Sequence, residues 1–199
     1  LGELGTRGTP EIRLKEAKRA AEILGCTIRE NLRLPDGFFR NERKEQQAVA
    51  TVIRRFQPDV LLINAPSDRH PDHGRASQLV SDAAFLAGLR KWEIQDEGCS
   101  LAPWRPKAVY HYMQFRELPS HLIVDITGFE DIKMESVLAH KSQFYDPDSK
   151  EPETVISSKG FMDSVHYRSQ NYGRMIGVAH AEAFIADRPI GSSLISHLI

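Results

Sequence analysis

The chain has 199 residues, 41% hydrophobic and 27% charged, with a formal net charge of −1. That is enough for one compact α/β domain with its own core, and without a Lys/Arg block it does not select nucleic acid as a partner. No apolar run reaches the roughly 20 residues of a membrane span, and two cysteines, Cys26 and Cys99, make no disulfide framework, so a reducing cytoplasmic setting is expected.

The chain opens on Leu1-Gly2-Glu3-Leu4-Gly5-Thr6-Arg7-Gly8. This reads as a Gly-rich loop and not as a signal peptide, so an N-terminal segment is expected to precede it. Thr9-Pro10-Glu11 then predicts a helix to about Leu24, closed by Gly25. Residues 27–34 read as a short strand and Pro35-Asp36-Gly37 as a turn. A second helix is expected over 42–56, with Asn41 as cap and Pro58 beyond its end. The nearly all-apolar run 59–64 predicts a parallel strand covered on both faces, followed by a helix from about Gly74 to Leu89. After a polar loop at 93–106, residues 107–115 and 121–126 read as strands. Helices near 129–144 and 160–176 are separated by a polar loop, 145–159, and the second ends at Gly177. The tail 178–199 has no single pattern. The alternation predicts a layered α/β domain with a mostly parallel sheet.

The stretch 65–77, APSDRHPDHGRAS, follows the buried run 59–64. Ligands of such sheets bind beyond the carboxyl ends of the strands. His70 precedes a proline, which biases it toward extended backbone, whereas His73 falls at the entry of a helix. The two rings need not point the same way, so one is free to bind metal while the other handles protons. Asp72 is placed to hydrogen-bond one imidazole and fix its tautomer. Asp68 and Arg69 either orient a substrate or pair with each other. The competing reading is an exposed His-x-x-His without function, because a catalytic zinc needs three protein ligands. The other histidines form no set: His111 and His121 lie in strand patterns, His140 and His166 on helix surfaces, and His197 near the terminus. His180-Ala181-Glu182 is a weaker candidate.

With DRHPDHGRAS (68–77), the chain resembles the PIG-L/LmbE-like zinc-dependent N-deacetylases. Residues 2–25 look like the segment that follows the family's second strand, and 32–39, 110–113, 124–127, 140–144 and 172–184 are similar to the bacillithiol-pathway branch, which deacetylates N-acetylglucosaminyl-malate. The resemblance implies a single Rossmann-like domain over 1–199, three-layer α/β/α with a mostly parallel sheet, its first strand–helix–strand segment missing. It implies one zinc per chain, with His73 as third ligand. The other two ligands and the general base belong to a His-x-Asp-Asp motif absent from these residues and expected about 40 residues' worth of βαβ unit upstream. His70 would donate a proton or stabilise the oxyanion, and Asp72 would orient and tune His70. Arg13 matches a substrate-site arginine, though locally it reads equally well as a helix-surface residue. Asp36 lies near the same rim, though locally it reads as a turn residue. Arg13, with Arg7 or Arg69, would pair with the malate carboxylates. The expected substrate is a small amino-sugar glycoside, and the expected assembly a homo-oligomer with no nucleic-acid or membrane partner. The 199 residues alone are expected to bind zinc poorly and to be inactive. The alternatives are deacetylation of another amino sugar, such as a chitooligosaccharide, or a non-catalytic binding relative.

Overall fold

The computed structural model describes residues 2–194, so His197 lies outside the described residues. The chain divides into two compact units, Leu1–Phe39 with Ile123–Glu182, and Arg40–Leu122 with Ala183–Ile199.

In the first unit, α1 (Pro10–Ile23) forms as its caps dictate. Thr9 Oγ1 accepts from the Ile12 N–H at 3.3 Å, and Gly25 turns the chain at φ +66°. It packs on α4 (Glu130–Leu138). The strand expected over 27–34 is absent. Its backbone has no partner strand among the described residues, the Asn31 side chain takes the Arg33 N–H at 2.7 Å, and Arg33 sits at φ +52°. The helix expected to reach 144 stops at Leu138. Beyond it, Glu16 of α1 captures both the N–H and the hydroxyl of Ser142, at 2.7 and 2.6 Å, and the chain turns through His140–Phe144 instead. A 3₁₀ turn at Val155–Ser157 leads into α5 (Lys159–Ile176), capped by Ser158 and closed by Gly177 at φ +78°. Gly173 of α5 has no room for a side chain, because a Cβ would stand 2.7 Å from the carbonyls of Val178 and Ala179.

In the second unit, α2 (Arg43–Phe56) starts from Glu42, not Asn41. The Asn41 amide instead donates to Asp82 at 2.6 Å and accepts from Gln46 at 2.9 Å. Val49, Ala50 and Ile53 of α2 are buried, as are Leu79, Ala83, Ala84 and Ala87 of the neighbouring α3 (Pro71–Ala87). The buried Arg54 guanidinium donates to the carbonyls of Ala87, Leu89 and Leu101, satisfying the end of α3. Within the expected 93–106 loop, β2 (Gln95–Asp96) and β3 (Cys99–Ser100) form a small hairpin. Both turn residues, Glu97 and Gly98, have positive φ, as a two-residue hairpin of this hand requires.

The main sheet has the order β1-β4-β6-β5, from β1 (Val60–Ile63), β4 (Ala108–Tyr112), β5 (Leu122–Asp125) and β6 (Ala181–Ala186). β1 and β4 are parallel, with Val60 beside Ala108 and Ile63 beside His111. β6 is antiparallel to β4, pairing Tyr110 with Ala186 and Tyr112 with Phe184. The Phe184 carbonyl accepts from His121 and the His180 carbonyl from Ile126, which makes β6 antiparallel to β5 as well. The class is mixed α/β with a central sheet, as expected, but the mostly parallel character holds only in the β1–β4 ladder. The tail read as patternless supplies the inner strand β6. The expectation that 59–64 is covered on both faces is also corrected: Ile63 is buried, while Val60 and Leu62 are 51% and 59% exposed. No helix among the described residues is long and apolar enough to cross a membrane.

Candidate active site

The loop after β1 carries His70 and His73 in the second unit. Gln114, just beyond β4, holds its start: its side-chain oxygen accepts from the Asn64 amide at 3.0 Å and from the Ala65 N–H at 3.3 Å. Gly74 lets the loop fold onto the first turn of α3, since a Cβ there would meet the Pro66 carbonyl at 2.9 Å. Beneath it lies a buried polar cluster. His111 of β4 faces the Asn64 carbonyl at 2.8 Å and the Ser77 hydroxyl at 2.9 Å through Nδ1, and Asp187 at 2.5 Å through Nε2. This ties the end of β1, helix α3, β4 and the segment after β6 into one unit of hydrogen bonds.

Helix α3 begins three residues earlier than expected, with His70 as its N-cap and Pro71 in the first turn. His70 Nδ1 accepts from the Asp72 N–H at 3.2 Å, so the ring proton sits on Nε2. Asp72 therefore holds His70 through its backbone. Its carboxylate, expected to bond that imidazole, accepts instead from Arg75 at 2.5 Å. The carboxylate that does orient a ring is Asp68. Asp68 Oδ2 accepts from His73 Nδ1, while Oδ1 accepts from the backbone of Phe115 at 3.1 Å and of Arg116 at 2.8 Å. Burial pushes the Asp68 carboxyl up, but these hydrogen bonds outweigh it and hold the group below the usual carboxylate range. Asp68 thus keeps the charged form in which it anchors His73. The His73 ring presents Nε2 away from that anchor, and the two imidazole centroids are 5.4 Å apart. Arg69 lies with its guanidinium 5.3 Å from the Phe115 ring centre.

The other three expected site residues lie in the first unit. Arg7 is only 5% exposed and donates to Glu151 at 3.4 Å and Ser149 at 2.5 Å. Arg13 donates to the Arg7 carbonyl at 2.9 Å, and the opening loop wraps its guanidinium so closely that Gly2 and Gly5 leave no space for side chains. Asp36 accepts from the Leu4 N–H at 3.0 Å, and its own N–H donates to Glu3. From the sequence Asp68 reads as a substrate-orienting residue or a partner of Arg69, not as the anchor of His73, and the Ser77–His111–Asp187 cluster carries no signal at all. Asp68 stood five residues before His73, a spacing with no periodic signature, and the cluster joins residues far apart in the chain. Glu130, His166 and His180 also come together in the first unit. From the sequence His166 reads as a helix-surface residue, and Glu130 carries no signal that sets it apart.

An imidazole held by a carboxylate on Nδ1 and open at Nε2 is built as a metal ligand is built. His73 meets that description. Among the described residues no group of three potential ligands includes His73, so it does not complete a three-ligand centre here.

Fold and loop together define a mixed α/β domain with a histidine pair at the carboxyl end of a sheet strand. The PIG-L family, described as GlcNAc-PI de-N-acetylase, matches residues 2–84. A diacetylchitobiose deacetylase of Thermococcus kodakarensis is 34% identical over 174 residues, covering 85% of this chain. The chain spans 60% of that relative's length. The crystal structure of the conserved protein TT1542 of Thermus thermophilus superposes with a TM-score of 0.83 at 33% identity, covering 98% of this chain and 81% of that one. A 4-carboxy-2-hydroxymuconate hydratase of Pseudomonas putida shares the fold at 22% identity and a TM-score of 0.70, covering 93% of this chain and 75% of its own. The chain belongs to the PIG-L family.

Proposed function

We propose that the chain serves a metal-dependent N-deacetylase that hydrolyses the acetamide of an N-acetylglucosaminyl conjugate to acetate and a free amine. The observation that carries this is the His-Pro-Asp-His loop, with His73 locked by Asp68 and His70 locked by the Asp72 N–H, in a PIG-L family chain. In this reading His73 is one zinc ligand, through Nε2. Zinc bound there would supply an activated water and polarise the acetamide carbonyl. His70 offers its Nε2–H to the oxygen that gains negative charge as water adds to the carbonyl carbon. The C–N bond then breaks, and the amine nitrogen takes a proton as acetate leaves. Asp72 is a positioning residue for His70, and Arg75 holds its carboxylate in place.

Substrate contacts are assigned to Arg69, Arg13 and Asp36, on the family resemblance. Arg7, whose Nε and Nη2 already donate to Glu151 and Ser149, is better suited to hold the opening loop around the Arg13 guanidinium than to meet substrate. The aglycone is either malate, matched by these arginines, or a second amino sugar, as in the substrate named for the Thermococcus relative. Cys26 and Cys99 are both free and exposed, in keeping with a reducing compartment. The decisive experiment measures acetate and amine release from N-acetylglucosaminyl-malate and from diacetylchitobiose by the zinc-supplemented full-length gene product, beside its His70→Ala and His73→Ala variants, because the 199 residues alone are expected to be inactive. Release from either substrate that both variants abolish supports the reading and names the aglycone. No release from either, or release that survives both substitutions, overturns it in favour of a binding role.

A further inference from the structure

We propose that Glu130, His166 and His180 form a binding site for a divalent transition-metal ion, with zinc as the expected occupant. The three share no residue with the His70–His73 loop, and the inference does not rest on the deacetylase reading. All belong to the first unit: Glu130 is the first residue of α4, His166 lies midway along α5, and His180 leads into β6. One ligand atom from each lies within 4.8 Å of the others. Glu130 Oε1 is 3.0 Å from His166 Nδ1, and the two imidazole centroids are 5.3 Å apart. Ligands about 2 Å from one ion stand about 3 Å from each other, so only small side-chain adjustments separate this cluster from a chelate.

A surplus of acceptors marks the place for a cation. The Glu130 side chain is 7% exposed, yet its Oε2 has no hydrogen-bond donor. Lys133 stands 3.8 Å from that oxygen and directs its ammonium to Glu182 at 3.0 Å. The Ser169 hydroxyl lies 2.9 Å from Glu130 Oε1 and 2.8 Å from the His166 carbonyl and has one proton for these two acceptors, while His180 Nδ1, 3.2 Å away, donates or accepts according to its tautomer. Buried lone pairs left without donors are costly, and a metal ion satisfies several at once. Two imidazoles with one carboxylate select zinc, cobalt or nickel over calcium or magnesium, which prefer all-oxygen sets. The His166 side chain is 46% exposed, which gives the ion a way in and a water-facing fourth position. Once bound, the ion would clip α4, α5 and the entry to β6 together.

The test uses the full chain in a His73→Ala background, stripped of metal and titrated with Co²⁺ and then Zn²⁺. The expected result is a cobalt ligand-field spectrum, with the His166 and His180 imidazole NMR signals broadened ahead of all other histidines. Glu130→Gln and His166→Gln should each weaken binding about a hundredfold or more, and Ser169→Ala, which removes only a partner of the ligands, about tenfold. Binding that leaves the His166 and His180 signals unmoved overturns the proposal, as does wild-type affinity in both ligand variants. Should Glu130→Gln fail to fold by circular dichroism, the imidazole signals of the unsubstituted cluster still decide.

Discussion

Asp68 holds His73 on one carboxylate oxygen and the backbone of Phe115 and Arg116 on the other. One buried acid thereby fixes both a ring and the segment beyond β4 that lies against it. Asp68→Asn keeps the shape but loses the charge that favours a proton on Nδ1. With the Glu130–His166–His180 cluster silenced by Glu130→Gln and His166→Gln, the expected result in the full-length gene product is a ten- to a hundredfold loss in zinc affinity, measured by competition with a chromophoric chelator. His73→Ala should lose more, and equal effects would show that Asp68 does not act through the ring.

The cluster under the loop predicts a stability defect. His111→Phe removes the shared partner of Asn64, Ser77 and Asp187 and strands the buried Ser77 hydroxyl and the half-buried Asn64 carbonyl. A loss of about 2 kcal/mol or more is expected from the urea midpoint. Ser77→Ala, which removes only one member, should cost about half as much or less.

Two glycine substitutions should move in opposite directions. Gly74→Ala drives a methyl to 2.9 Å from the Pro66 carbonyl and should destabilise by about 1–3 kcal/mol while displacing the loop. Gly160→Ala, in the first turn of α5 with open space around it, should stabilise by about 0.4–1 kcal/mol. Thermal melts of the two variants give the comparison directly.

His140 predicts a pH effect. Burial pushes its imidazole below the usual 6.5. Glu16 opposes that shift, and the charges of Arg29 and Arg13 add to it. The unfolded chain therefore binds the proton more readily than the folded one. Stability from this group is fully present above pH 6.5 and is lost as pH falls through the folded value. Between about pH 7.5 and 5.5 the urea midpoint of the wild type should fall more than that of His140→Gln. Parallel curves would remove His140 from the account.

The helices were largely legible because their signals are local. Thr9-Pro10, Gly25 and Gly177 stop and start the chain through their own backbone preferences, and the structure places those ends within a residue or two. What failed to show was decided by distant partners. Residues 27–34 have a strand-like composition but no neighbour to pair with, and β6 has one on each side. Glu16 ends α4 from 126 residues away by taking Ser142. The histidine pair was plain from its spacing and its place after β1. The acid that orients it was not, because Asp68 and Asp72 offer the same chemistry in sequence, and only the start of α3 at His70 turns the Asp72 carboxylate toward Arg75.

Each compact unit is stitched from two separated lengths of chain, 1–39 with 123–182 and 40–122 with 183–199. During synthesis residues 1–39 must wait for more than 80 further residues to emerge before their partners in 123–182, such as the Ser142 that Glu16 holds, exist. β6 adds the inner strand only near the end, and until then β4 and β5 each have an unfilled edge. A nascent chain paused before residue 181 therefore leaves open the strand edges that β6 fills, and chaperone occupancy should persist until that point is passed.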